Sequence, residues 1–218
     1  MNNIIDLSLP LFQGMPHYPT DPPTMLREAK SIKNDRTRVT EVSFGSHAGT
    51  HVDVPSHVFP QGKSLEQIEL SSFLGKAVKL RLDRFAEYDL AGLEFDGVLL
   101  ETGWEQCYAD PARYFSGSRP AIPIAVADKL MEKGLRFFGC DLPSVDQSGS
   151  KEKLIHDRFL AGDVVVYENL TNLDKLPEAM PFTFIGLPLN FRGIDGSPVR
   201  AVAILKEDSF EFSRKPVV

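Results

Sequence analysis

Residues 47–57 read HAGTHVDVPSH and hold three of the chain's five histidines together with an aspartate. Counted from His47, residues His51, Asp53 and His57 stand four, six and ten positions on, all even offsets. On a helix only His47 and His51 would share a face, and Gly49 and Pro55 disfavour a helix here. In an extended chain the even spacing sets all four on one side, with Val52 and Val54 on the other. VTEVSF just upstream continues that phase, with Val42 and Phe44 on the apolar side. The spacing predicts a strand running into an extended loop, irregular around Gly49 and Pro55. One side is coreward and the other is lined with ligands.

Two imidazoles and a carboxylate make an N/N/O set suited to Zn²⁺, or to Mn²⁺ and Fe²⁺. Structural zinc sites are closed by four ligands and are rich in cysteine, whereas a His/His/Asp set leaves a position open for water, as catalytic sites do. His57 then suits an acid/base role, because an imidazole beside a metal can shuttle protons near neutral pH. Its use as a third nitrogen ligand is the alternative. For a single histidine, a satisfied polar residue on a half-exposed strand is the simpler reading. Four such groups on one face favour metal binding.

The rest of the chain is that of an ordinary globular protein, and 218 residues suffice for one sizeable core. A net charge of −6 with no Lys/Arg-rich run argues against nucleic acid or an anionic membrane as partner. MNNIIDLSLPLF lacks the features of a signal peptide, and no segment reaches the roughly 20 apolar residues of a membrane span. Cys107 and Cys140 form no CxxC or disulfide framework and read as buried thiols, so a cytoplasmic setting is expected.

Strand-length runs recur: IIDLSL, VTEVSF, AVKLRL, DGVLLET, LRFFGCD, DVVVYEN, FTFIGLPL and VRAVAIL. PAIPIAVADKLMEKG predicts a helix with Pro123 in its first turn and Gly134 at its C-terminal cap, and KEKLIHDRFLAG predicts a second. The expected fold is α/β, with a mixed sheet and few covering helices, as a single domain over residues 1–218. The prolines at 10, 16, 19, 22 and 23 predict an irregular arm after the first strand. That arm either covers a site or a partner subunit, or is a surface loop, and His17 within it reads as a surface residue. Tyr18, Phe44, Phe59 and Trp104 are candidates for an aromatic wall against a flat substrate, with core packing as the alternative. PSVDQSG at 143–149 reads as a loop near the site, because it follows a strand whose end offers Asp141, with turn forming as the plain role of Asp146 and Ser148.

HAGTHVDVPSH matches H-x-G-T-H-x-D-x-P-x-H at every position, and this resembles the signature of the metal-dependent cyclase-like hydrolases, which include bacterial kynurenine formamidases and isatin hydrolases. IDLSLPLFQGMPHYP, TGW at 102–104, CDLPSVDQSGSKEKLIHDRFLAGDVVVYENLTNL and PLNFRGIDGSPVRAVAIL extend the resemblance over most of the chain. It implies a swivelling β/β/α-type fold, assembled as homodimers or higher homo-oligomers. It also implies His47, His51 and Asp53 as ligands of a first metal and His57 as the catalytic acid/base. A second metal would share Asp53 and take His156 and Glu168, whereas isatin hydrolases work with one.

The expected function is therefore hydrolysis of a C–N amide bond in a small molecule, with one or two Zn²⁺ per chain or Mn²⁺ in their place. An arylformamidase acting on N-formyl-kynurenine is the leading expectation. Opening of a cyclic amide or imide is the alternative enzyme, and a non-catalytic metal-binding subunit is the alternative of another class. The absence of a GxSxG elbow and the distance of both cysteines from any histidine disfavour Ser/His or Cys/His hydrolysis.

Overall fold

The runs AVKLRL, DGVLLET, LRFFGCD and DVVVYEN form four adjacent parallel strands at the centre of a nine-stranded sheet. The computed structural model describes residues 3–205. In chain order the strands are β1 (Ile4–Asp6), β2 (Met25–Lys30), β3 (Val39–Ser43), β4 (His51–Asp53), β5 (Leu74–Arg81) and β6 (Gly97–Glu101). They continue with β7 (Phe137–Cys140), β8 (Val165–Glu168), β9 (Pro181–Ile185), β10 (Gly196–Pro198) and β11 (Val202–Ile204). The α-helices are the short α1 (Ile32–Asp35) and α2 (Pro111–Tyr114), then α3 (Ile124–Met131) and α4 (Leu154–Leu160).

The sheet order is β1-β11-β9-β5-β6-β7-β8-β4-β10, with parallel pairs at the centre and antiparallel pairs on both flanks. One stretch of chain serves both ends, because β10 pairs with β4 while β11, shortly after it, pairs with β9 and β1. Between them Val199 N–H donates to Thr50 O at 3.0 Å, and Ala201 O accepts from Leu7 N–H at 2.9 Å. The sheet is thereby curled, with its two ends bridged by one segment.

Alternation along the strands gives two cores. Ala77, Leu99, Phe137, Val165 and Tyr167 face the inside of the curl, where Phe137 stacks on Phe184 with centroids 5.0 Å apart. Val78, Leu80, Val98, Leu100, Phe138 and Val166 face outward beneath α3 and α4. There α3 buries Val126, Ala127 and Leu130, and α4 buries Ile155, Phe159 and Leu160. Both faces of the central strands are covered, as their nearly continuous apolar sequence requires.

Both predicted longer helices form. Pro123 is the N-cap of α3, one position outside the first turn expected for it, and Gly134 takes φ +70° just past its end. VTEVSF does become a strand, but not one that continues into the motif. It pairs only with β2, in a separate two-stranded hairpin whose strand residues are all exposed, and Val42 is 49% exposed. The turn between Gly45 and Gly49 breaks the strand phase before β4 begins, so the coreward phase expected for Val42 and Phe44 does not carry through. Neither β2 nor β10 was expected; β2 holds no β-branched residue, and β10 ends on a proline that only a sheet margin tolerates.

Candidate metal centre and active site

Strand β4 places Val52 and Val54 in the inner core and turns His51 and Asp53 to its other face, which is also buried. The even spacing therefore holds literally for these two ligand candidates. His47 and His57 join them through turns. Ahead of β4, Ala48 N–H donates to Gly45 O, and Gly49 takes φ +62°, a conformation that costs glycine little. After β4, Pro55 opens a 3-10 turn, Pro55–His57, in which His57 N–H donates to Val54 O at 2.8 Å.

The remaining two groups come from neighbouring elements. In the β4–β8 ladder His51 stands directly opposite Glu168, and α4 directs His156 to the same place. Asp53 lies at the centre with its oxygens divided. Oδ1 is 2.6 Å from His47 Nδ1 and 3.3 Å from His51 Nε2, while Oδ2 is 3.2 Å from His156 Nε2. His156 Nε2 is also 3.2 Å from Glu168 Oε1, which accepts from Val145 N–H at 2.7 Å. Judged by the closeness of their ligand atoms, Asp53 groups with His47 and His57 on one side and with His51 and Glu168 on the other.

Hydrogen bonds at the far nitrogens set the tautomers. His51 Nδ1 donates to Gly49 O at 2.8 Å, and His156 Nδ1 donates to Asp146 Oδ2 at 2.6 Å. Each ring is left with Nε2 facing the carboxylates. His51 Nε2 is buried with no hydrogen-bond partner. A buried nitrogen lone pair beside two carboxylates is costly unless a cation stands there, so the donor set fits a divalent metal.

The crowded charges also shift how these groups bind protons. Burial opposes charge on His47, but the Asp53 carboxylate outweighs it and raises the imidazole to about 10. The same opposition raises His51 to about 9. His156 is also raised, against burial, by its bonds to Asp146 and Asp53. On the acid side, burial and the Asp53 charge oppose ionisation of Glu168, yet the His156 and His51 imidazoles facing it lower it to about 2. Asp53 is held well below the usual carboxylate range by His47 and His51, against full burial.

The cluster forms the floor of a cavity of about 670 Å³. Pro16, His17 and Tyr18 of the proline arm form one wall, and Tyr108 and Phe115 another; Lys151, Lys153 and Leu154 contribute further. The arm thus lines the site, and His17 faces the cavity where a plain surface position was expected. Tyr18 packs edge-on against Phe115 with centroids 5.9 Å apart. Of the other candidate wall residues, Phe59 and Trp104 pack against the outer core, and Trp104 Nε1–H donates to Tyr114 O. Phe44 does not line the cavity either.

Of three further neighbours, Asn169 and Asp195 were not legible as such, and Asp146 only through the loop that carries it. Asp146 orients His156 and also accepts from Ile155 N–H at 2.8 Å, at the start of α4. Asn169 donates through Nδ2 to the Gly49 carbonyl that holds His51, and its own Oδ1 accepts from Tyr114 O–H. Asp195, just before β10, reaches both His47 and His57, whose bonds hold it far below the usual carboxylate range. Its position 148 residues from His47 left only an Asp-Gly turn signal to find it by.

A sequence profile of the Cyclase family matches residues 5–147. The chain belongs to the Cyclase family. The kynurenine formamidase of Bacillus mycoides (strain KBAB4) is 31% identical to this chain over 205 residues, matched over 91% of this chain and 95% of that protein. Among solved structures, an isatin hydrolase bound to the product analogue thioisatinate superposes with a TM-score of 0.81 at 19% identity, over 92% of this chain and 91% of the other. Isatin hydrolase A from Ralstonia solanacearum gives 0.80 at 21%, over 93% and 92%. These two establish a shared fold for this family member. No helix among the described residues is long and apolar enough to cross a membrane.

Proposed function

We propose that this chain is a metal-dependent amidohydrolase that cleaves the C–N bond of an aromatic formamide of the N-formyl-kynurenine type. The observation that carries the reading is Asp53, buried beneath the histidines that line an aromatic-walled cavity, with one oxygen facing His47 and His51 and the other facing His156. The kynurenine formamidase relative, aligned over nearly the whole of both chains, supports the substrate class.

His47, His51 and Asp53 would hold a first Zn²⁺ or Mn²⁺, and Asp53, His156 and Glu168 a second. Bound there, such an ion supplies Lewis acidity, polarising the amide carbonyl and making water ionisable near neutral pH. His57, whose side chain is 25% exposed at the cavity, takes a proton from the attacking water and returns it to the leaving nitrogen. Water and amide are thereby converted to a carboxylic acid and an amine. Tyr18 and Phe115 present an edge-on aromatic pair against which a flat ring can lie.

Opening of a cyclic amide is the second reading, supported by the closeness of this fold to the isatin hydrolases. The one-domain span of residues 1–218 remains part of the proposal. So do a cytoplasmic setting, in keeping with the two free buried cysteines, and a homodimer or higher homo-oligomer. The exposed apolar residues Met25, Leu26, Val39 and Val42 of the hairpin support an assembly. The test is turnover of formanilide, N-formyl-kynurenine and isatin by protein loaded with Zn²⁺ or Mn²⁺. Formamide hydrolysis lost in His57→Ala supports the main reading. Turnover of isatin alone replaces it with the second, and no turnover of any substrate contradicts both.

A further inference from the structure

Asp195 stands between the two histidines that enter the site by turns. Its Oδ2 lies 2.9 Å from His47 Nε2 and 3.4 Å from His57 Nδ1, and the two rings are 4.2 Å apart. A carboxylate oxygen has lone pairs enough to accept from both.

The backbone around it is fixed on both sides. Ile194 O accepts from Leu65 N–H at 3.0 Å, and Asp195 O accepts from Val54 N–H at 3.1 Å. The next residue, Gly196, pairs with Asp53 in the β10–β4 ladder. A Cβ at Gly196 would lie 2.9 Å from His47 Cε1 and 2.7 Å from Val52 O, so the Asp-Gly pair supplies a contact with one residue and room for the imidazole with the other. The acid is therefore held in register with β4, the strand that carries His51 and Asp53.

We propose that Asp195 is the positioning residue for His57, accepting its Nδ1–H and so leaving Nε2 as the nitrogen that takes and returns the proton. This rests on the acid/base role given to His57 above. A histidine free at both nitrogens divides its time between tautomers and ring orientations; a carboxylate at Nδ1 selects one. The contact with His47 gives the same carboxylate a second anchor.

The test combines a double-mutant cycle with a direct reading of the tautomer, both on Zn²⁺-loaded protein. With formanilide as substrate, Asp195→Asn should lower kcat by about 10- to 100-fold, within the roughly 10²–10⁴-fold that general acid–base catalysis contributes. KM should hold, and so should zinc content at saturating Zn²⁺, because the asparagine keeps an amide oxygen that can accept from His47 Nε2. In a His57→Ala background, Asp195→Asn should cost nothing further, because residues that act as a unit are non-additive. An additive loss, an undiminished kcat, or loss of zinc from Asp195→Asn would overturn the proposal. Long-range ¹H–¹⁵N correlation spectra, with His57 assigned by its absence in His57→Ala, should show the Nδ1–H tautomer in the parent and a mixture in Asp195→Asn. An Nε2–H tautomer in the parent overturns the proposal whatever the activities are. Full activity of His57→Ala, by contrast, sinks the acid/base reading and leaves the tautomer measurement to decide what Asp195 does.

Discussion

His51 and Glu168 face each other across the β4–β8 pair, with His51 Nε2 3.5 Å from Glu168 Oε2. A sheet register thus joins the histidine motif to the end of an apolar strand more than a hundred residues later. The two side chains meet because directly opposed residues in an antiparallel ladder point to the same side. What the site can hold is decided by that register and by the groups that fix each ring from behind.

Asp146 is one such group. Substituting alanine removes the acceptor of His156 Nδ1 and the acceptor of Ile155 N–H together. Asp146→Ala should lower metal affinity by about 10- to 100-fold, the usual cost of losing the partner of a liganding histidine. It should also destabilise the chain by about 1–3 kcal/mol. Isothermal titration with Zn²⁺ and urea denaturation measure the two effects separately.

The metal-free cluster makes stability depend on pH with a definite sign. His47 at about 10 and His51 at about 9 lie above the ordinary value of 6.5, so the folded chain binds protons that the unfolded chain has released. Their contribution is fully present below pH 6.5 and is lost as pH rises through 9 to 10. Glu168, lowered from 4.5 to about 2, contributes above pH 4.5 and loses that contribution as pH falls toward 2. Chelated protein should therefore lose several degrees of Tm between pH 6.5 and pH 10. Zn²⁺-loaded protein should lose less, since a metal ion takes the place of the protons. Equal alkaline slopes in the two forms would contradict this.

The two kinds of aromatic residue near the site should separate cleanly. Tyr18→Ala should raise KM for an aromatic formamide several-fold with little change in Tm, because Tyr18 lines the cavity wall and is only partly buried. Trp104→Ala should chiefly lower Tm, because that ring packs on the outer core and donates to Tyr114 O. Steady-state kinetics and thermal melts on both variants check the pair.

How much could be read beforehand follows from where each contact lies in the chain. The motif was legible because its ligand types are adjacent in sequence, and the phase of a strand gave His51 and Asp53 a common face against Val52 and Val54. That His47 and His57 reach the same place was foreseen from a spacing that turns, not strand, bring about. The resemblance pointed to His156 and Glu168, and the α4 and β8 runs that carry them were readable from periodicity and their glycine boundary. Asp195 was not legible as a site group, and Asp146 only through a loop expected near the site, since each looks like an ordinary turn residue until the fold closes. Phe59 and Trp104 pack on the outer core, the alternative weighed for them, because sequence cannot say on which side of the curled sheet an aromatic packs. The phase of VTEVSF failed because a turn intervenes before β4.

The central claim is that this cluster hydrolyses an amide only when it holds metal. The most direct measurement is formanilide hydrolysis by chelator-stripped protein during stepwise reloading with Zn²⁺, with bound metal counted by plasma mass spectrometry at each step. The account predicts no turnover without metal, and activity that rises with bound zinc to saturation at no more than two equivalents per chain. Turnover by stripped protein, or stoichiometric zinc with no hydrolysis of formanilide or N-formyl-kynurenine, would contradict it.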